Sequence, residues 1–288
     1  MLKKVMKHEF RAMSKIMLPI FLAELGVAVL SVGLMLFLRP YYAAHPGLYI
    51  LGFFLMMFTF LLLGAACIAV PVVSAIRFSH GLFGDEGYLS QSLPVSPHTH
   101  INGRMLIALL IDFVISAVAL AGMAACLLLL MQSAFDMTGT GSMIEEIRQA
   151  YAQMGMELGR GQMAFELALS GLLVVSSSIA GILAIYAGIA VGNSFTRGKK
   201  GFSVLFVFIF TNAMATVQSI VGFAMSISTL VKEGMAAAGT SQPLTVTFTT
   251  TQGSQTVFSA VMLLLSLAMC AVFYWITYRF MTRKLNLQ

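Results

Sequence analysis

The chain has 288 residues, of which 59% are hydrophobic and 10% charged, with a formal net charge of +6 and a mean hydropathy of +0.90. Soluble domains carry about 25% charged residues, so these figures exclude an ordinary soluble enzyme. Long continuous apolar runs also exclude a membrane β-barrel, whose strands alternate in polarity. What remains is an all-α membrane protein, because about 20 apolar helical residues rising 1.5 Å each cross the roughly 30 Å of hydrocarbon.

Residues 1–16 put Leu2, Met6, Phe10, Met13 and then Met17 on one helical side, and Lys3, Lys4, Lys7, His8, Arg11 and Lys15 on the other. This spacing predicts an amphipathic helix lying in the membrane plane ahead of the first span. The apolar run that follows is longer than the core of a secretory signal and ends without a small-x-small cleavage site, so the first span is read as retained.

Six transmembrane helices follow, at about 17–38, 47–76, 105–131, 165–195, 202–230 and 256–279. They are expected to form one domain over 17–288, with a loop at 77–104 and opposite loops at 132–164 and 231–255. An even number of spans puts both termini on one side. That side collects Lys3, Lys4, Lys7, Arg11, Lys15, Arg77, Arg104, Arg197, Lys199, Lys200, Arg279, Arg283 and Lys284, thirteen of the seventeen cations. Basic residues gather at cytoplasmic flanks, which predicts cytoplasmic N- and C-termini and a cytoplasmic 77–104 loop. The positive charge is then a product of topology, and no nucleic-acid partner is expected. Trp275, Tyr274 and Tyr278 suit an interfacial belt at the inner end of the last span.

In the first outer loop, Ser142 and Glu145 match a capping box, followed by Ile144, Ile147, Tyr151, Met154 and Leu158 at helical spacing. A short surface helix is expected there. In the second, Leu244, Val246 and Phe248 alternate with Thr245, Thr247 and Thr249, which favours an extended strand.

Two acids interrupt apolar spans. Glu24 lies about 13 Å beyond Lys15 and Asp112 about 12 Å beyond Arg104, counted along the helix. An acid inside a membrane costs about 2.5–3.5 kcal/mol on insertion scales, so it faces protein or water. Lining a wet cavity in a translocation path, sharing a proton, or serving as a hydrogen-bonded structural group all fit. In the fifth span Asn212, Thr216, Ser219 and Ser226 share a face expected to point inward, either along the path or into helix–helix hydrogen bonds. Ser177, Gly181, Gly188 and Gly192 in the fourth span read as a close-packing stripe.

Other chemistry is absent from the pattern. Cys67, Cys126 and Cys270 fall in separate spans and supply neither metal-ligand spacing nor a disulfide framework. His98 and His100 are two apart beside Pro97, a poor pair for metal. No G-x-x-x-x-G-K-[ST] loop is present, so the chain is expected neither to hydrolyse nucleotide nor to act as an enzyme.

The 77–104 loop, RFSHGLFGDEGYLSQSLPVSPHTHINGR, joins apolar anchors (Phe78, Leu82, Phe83, Tyr88, Leu89, Leu93) to the acids Asp85 and Glu86, with Pro94 and Pro97 expected to stop helix formation. Such a segment suits docking onto a partner. Its steps Glu86-Gly87-Tyr88-Leu89 and Leu93-Pro94-Val95-Ser96, with Arg104 eight residues on, resemble the loop between spans two and three of type 2 ABC exporter permeases. The family's pattern differs mildly in placing a residue between that Leu and Pro, and a Lys where this chain has Arg104. The six-span layout, the basic segment before the first span and the short outer structure before the last are similar too.

The resemblance implies a coupling helix seated on a separate ATP-binding cassette ATPase, with Phe83, Asp85, Glu86, Gly87, Tyr88 and Leu89 making the contact. It implies a second permease subunit, identical or different, facing this one across a pathway. ATP and Mg would act on the ATPase, with no cofactor in this chain. The function expected is export of an amphipathic or apolar substrate (peptide, lipid or drug) by alternating access in a bacterial plasma membrane. Two other readings stand beside it: a proton-coupled secondary transporter using Glu24 and Asp112, and a non-transporting membrane scaffold or sensor.

Overall fold

In hydrocarbon each backbone N–H and C=O must be bonded within the chain, so nothing favours ending a helix where its apolar run ends. The computed structural model, which describes residues 2–42, 45–83, 97–138, 143–195, 198–238 and 252–283, shows that consequence throughout. Its elements are α1 (Leu2–Leu38), a 3-10 turn (Arg39–Tyr41), α2 (Pro46–Phe83), α3 (Pro97–Thr138), α4 (Met143–Gly192), α5 (Lys199–Ala238) and α6 (Gln252–Arg283). All six helices are long and apolar enough to cross a membrane. Among the described residues there is no strand. The chain is a six-span, all-helical membrane protein.

The overrun moves several expected boundaries. Residues 2–38 form one helix, without a break at 16–17. Residues 77–83 and 97–104, expected within the loop, are the last turns of α2 and the first of α3. Pro97 opens a helix, where its missing N–H is harmless. The surface helix expected after Ser142 is the beginning of α4. Thr245, Thr247, Thr249 and their apolar neighbours lie outside the described residues.

Contacts divide the chain into two units, residues 1–154 and 155–288. In the first, α1, α2 and α3 meet along seams of buried residues three, four or seven apart: Met13, Met17, Glu24, Ala28, Ser31 and Met35 on α1; Met56, Thr59, Leu63, Val70, Ser74 and Phe78 on α2; Ile101, Arg104, Ala108, Ile111, Ile115, Ala119 and Cys126 on α3. Small residues set the spacing. A Cβ on Gly122 would lie 3.0 Å from that of Ala28 and 3.1 Å from Leu63, and Leu63 is fully buried between Ala28 and Ala119. The seam hydroxyls are satisfied within their own helices: Ser31 donates to the Val27 carbonyl at 2.7 Å, Thr59 to Leu55 at 2.8 Å and Ser133 to Leu129 at 2.7 Å. Phe10, by contrast, is exposed. The buried side of the N-terminal segment is therefore Glu9, Met13 and Met17, and Phe10 is not on it.

In the second unit, α4 ends at Gly192 and α5 begins at Lys199, with Gly198 at φ +72° just ahead of it. Gly188 and Gly192 let the helices touch: a Cβ on Gly188 would fall 2.5 Å from the Val207 nitrogen, and one on Gly192 2.2 Å from the Ser203 Cα. Those two residues of the small stripe do the packing, while Gly181 has open space around it. Phe195 stacks on Phe202 at 4.6 Å and on Phe206 at 5.7 Å, and the ring row continues through Phe210 to Phe273 of α6. Polar contacts join α4 to α6: Ser176 and Ser266 share a hydrogen bond at 2.5 Å, the Cys270 thiol donates to the Ser176 carbonyl at 3.4 Å, and Thr256 donates to Glu166.

Candidate functional site

The segment between α2 and α3 is the place where the sequence concentrates partner-binding features, and the structure defines its two stems. α2 ends at Phe83 and α3 begins at Pro97. Phe83 is half-buried, its ring edge-on to the buried Phe78 at 6.1 Å. Asp85, Glu86, Gly87, Tyr88 and Leu89 lie outside the described residues.

The stems are tied together by charges from three helices. Glu9 of α1 is buried. Its Oε2 accepts from Nε and Nη2 of Arg77 at 3.3 and 3.2 Å, and its Oε1 lies 2.9 Å from Nε of Arg104. One carboxylate thus serves an arginine on each stem. Arg104 also reaches back to α2, donating from Nη1 to the Phe78 carbonyl at 3.5 Å and from Nη2 to the Gly81 carbonyl at 3.3 Å. The Gly81 carbonyl, in the last turn of α2, lacks an intrahelical donor and lies at the negative end of the helix dipole, so a guanidinium is a fitting cap there. The approach needs a glycine: a Cβ at position 81 would stand 2.5 Å from Nη2 of Arg104.

Sequence reading named Arg104 as a motif position and missed Glu9. A signal existed. Glu9 is the one acid among the first 23 residues, in a segment otherwise basic, four residues before Met13 and eight before Met17 on the buried seam.

The second candidate region is inside the spans of the first unit. Glu24 of α1 is buried, and neither carboxylate oxygen has a hydrogen-bond partner among the described residues. On α2, Cys67 lies near Ser116 of α3 and within electrostatic range of both Glu24 and Asp112. Asp112 itself is half-buried. One acid of α1 and one of α3 are thus both within electrostatic range of a single residue of α2. Among the described residues no group of three or more metal-ligating side chains is assembled.

The third region departs from expectation. Asn212, Thr216 and Ser219 are exposed, so within the second unit the α5 stripe is not packed against α4 or α6. The physical reason is helical phase. Asn212 lies nine residues beyond Ser203, about two and a half turns, on the side of α5 opposite the edge pressed against Gly192. Asn212 donates to the Phe208 carbonyl at 2.8 Å and Ser226 to Gly222 at 2.9 Å, which satisfies one donor of each and leaves the stripe presented outward.

Comparison with protein-family models, with curated proteins and with solved structures finds no match to this chain.

Proposed function

We propose that the chain is the membrane-spanning permease subunit of an ATP-binding cassette exporter, driven by a separate ATPase that docks on the segment between α2 and α3. The observation that carries this reading is the sequence of that segment, Glu86-Gly87-Tyr88-Leu89 and Leu93-Pro94-Val95-Ser96 followed by Arg104, which resembles the type 2 exporter permeases. The braced stems support it, because a loop that transmits force needs anchors that do not slide. So does the basic bias of that side, which favours a cytoplasmic segment, where ATP is found; the membrane proposed is a bacterial plasma membrane.

In this reading Phe83, Tyr88 and Leu89 fill a cleft on the ATPase while Asp85 and Glu86 orient it, with Gly87 in the same contact. A second permease subunit meets this one across the pathway. The outward α5 stripe of Asn212, Thr216 and Ser219 suits that role, since polar groups at membrane depth face protein or water and not lipid. The substrate is amphipathic or apolar, matching the scarcity of charge in the spans. ATP and Mg act on the partner.

Co-purification tests the reading. Wild-type chain brings down an ATP-binding protein whose hydrolysis responds to substrate, and Glu86→Lys and Tyr88→Ala weaken both. Unchanged association and unchanged stimulation in both variants would refute it.

The unpartnered Glu24 beside Cys67 and Asp112 favours one second reading, a secondary transporter driven by protons. Reconstituted chain without any ATPase then moves substrate along a pH gradient, and Glu24→Gln abolishes that movement.

A further inference from the structure

The stems of the α2–α3 segment are not independent helix ends. We propose that Glu9 is a positioning residue that makes the start of α1 and both stems one mechanical body, so that the segment and the N-terminal turns of α1 move together; its functional role rests on the reading of 84–96 as the coupling segment.

Three observations carry this. First, Glu9 is buried although its neighbours Lys7, His8, Phe10 and Arg11 are exposed. A carboxylate in that position is stable only where cations meet it, and removing it would leave two guanidinium groups facing each other. Second, the two oxygens are divided between helices, Oε2 toward Arg77 and Oε1 toward Arg104. A displacement of α1 must therefore either break a contact on one stem or drag both. Third, Arg104 is held on its other edge by the Phe78 and Gly81 carbonyls, so the connection from α1 to α3 is passed on to the last turn of α2. Lys7, exposed two residues before Glu9, then moves with the same body.

Gly81 makes the arrangement testable without altering a charge. Alanine there intrudes on Arg104 and loosens the same brace from the α2 side.

The experiment is hydrogen–deuterium exchange on the full chain in lipid nanodiscs, paired with ATP hydrolysis by the ATP-binding protein that co-purifies with it. Glu9→Gln is expected to speed exchange in both 77–83 and 97–104 by about tenfold or more, the scale of one lost hydrogen bond to a charged group. Gly81→Ala is expected to do the same, Glu9→Asp to restore much of the protection, and exchange in α6 to stay at the wild-type rate. Transport of an amphipathic fluorescent dye by the same two proteins in sealed proteoliposomes supplies the second readout, and hydrolysis per dye moved is expected to rise in Glu9→Gln and Gly81→Ala.

Wild-type protection of both stems in Glu9→Gln would overturn the proposal, as would loosening that spreads equally to α6, which marks general unfolding. Stems that loosen while transport per ATP stays at the wild-type ratio would also overturn the positioning role. If Tyr88→Ala too leaves hydrolysis untouched, the coupling reading itself has failed, and the exchange data alone still decide whether Glu9 holds the stems.

Discussion

Gly192 stands so close to Ser203 that a methyl group on it would lie 2.2 Å from the Ser203 Cα and 2.6 Å from its Oγ. Backbone, unlike a side chain, cannot swing aside. Gly192→Ala must therefore push α4 and α5 apart, and the stacked pair Phe195–Phe202 lies just beyond it. The expected loss is about 1–3 kcal/mol, the usual cost of overpacking, read from denaturant unfolding in mixed micelles. Gly181→Ala, in open space, is the control and is expected to change stability little.

Tyr42 presents the opposite case, a buried phenol whose hydroxyl has no hydrogen-bond partner among the described residues. Its burial, reinforced by the neighbouring Tyr49, pushes the phenol above its ordinary pKa. A raised value means the folded chain holds the proton more tightly than the unfolded one, so this contribution is intact below the unfolded pKa and declines as pH rises above it. Tyr42→Phe is expected to be at least as stable as wild type at neutral pH, and to lose less stability than wild type above about pH 10. Thermal unfolding at both pH values measures the difference.

Glu24 separates stability from function. An unsatisfied buried polar group costs about 1–3 kcal/mol, so Glu24→Met, similar in length and apolar, is expected to raise the unfolding midpoint while depressing transport. A stabilised variant with normal transport would assign Glu24 no part in the path.

Ser176 and Ser266 offer a measure of polar packing between α4 and α6. A double-mutant cycle with alanine is expected to give a coupling of about 0.6 kcal/mol, the scale found for hydrogen bonds between membrane helices. Neither single change removes the Cys270 thiol's bond, which goes to the Ser176 backbone carbonyl, so the cycle reads the hydroxyl pair alone.

The sequence alone determined that the chain is helical and crosses the membrane six times, because hydrocarbon permits few other ways to bond a backbone and the apolar runs are long enough to read directly. It also exposed Glu24 and Asp112, since an acid in such a run is conspicuous. Helix ends were not legible, because the backbone stays bonded well past the apolar boundary: α1 runs from Leu2 and α2 to Phe83 for that reason.

Only the tertiary structure decided which side of each helix is inside. Phe10 shared a helical side with Met13 and Met17 in the sequence and is exposed where they are buried, Asn212 was expected to point inward and is exposed, and Glu9, one more charge in a basic segment, is the residue on which two arginines converge. In a chain so uniformly apolar, hydrophobicity cannot tell a packed face from a lipid-facing one. Small residues that admit a neighbour, such as Gly188 and Gly192, and charges that must find one, such as Glu9, make that distinction, and both act only once another helix is there to meet them.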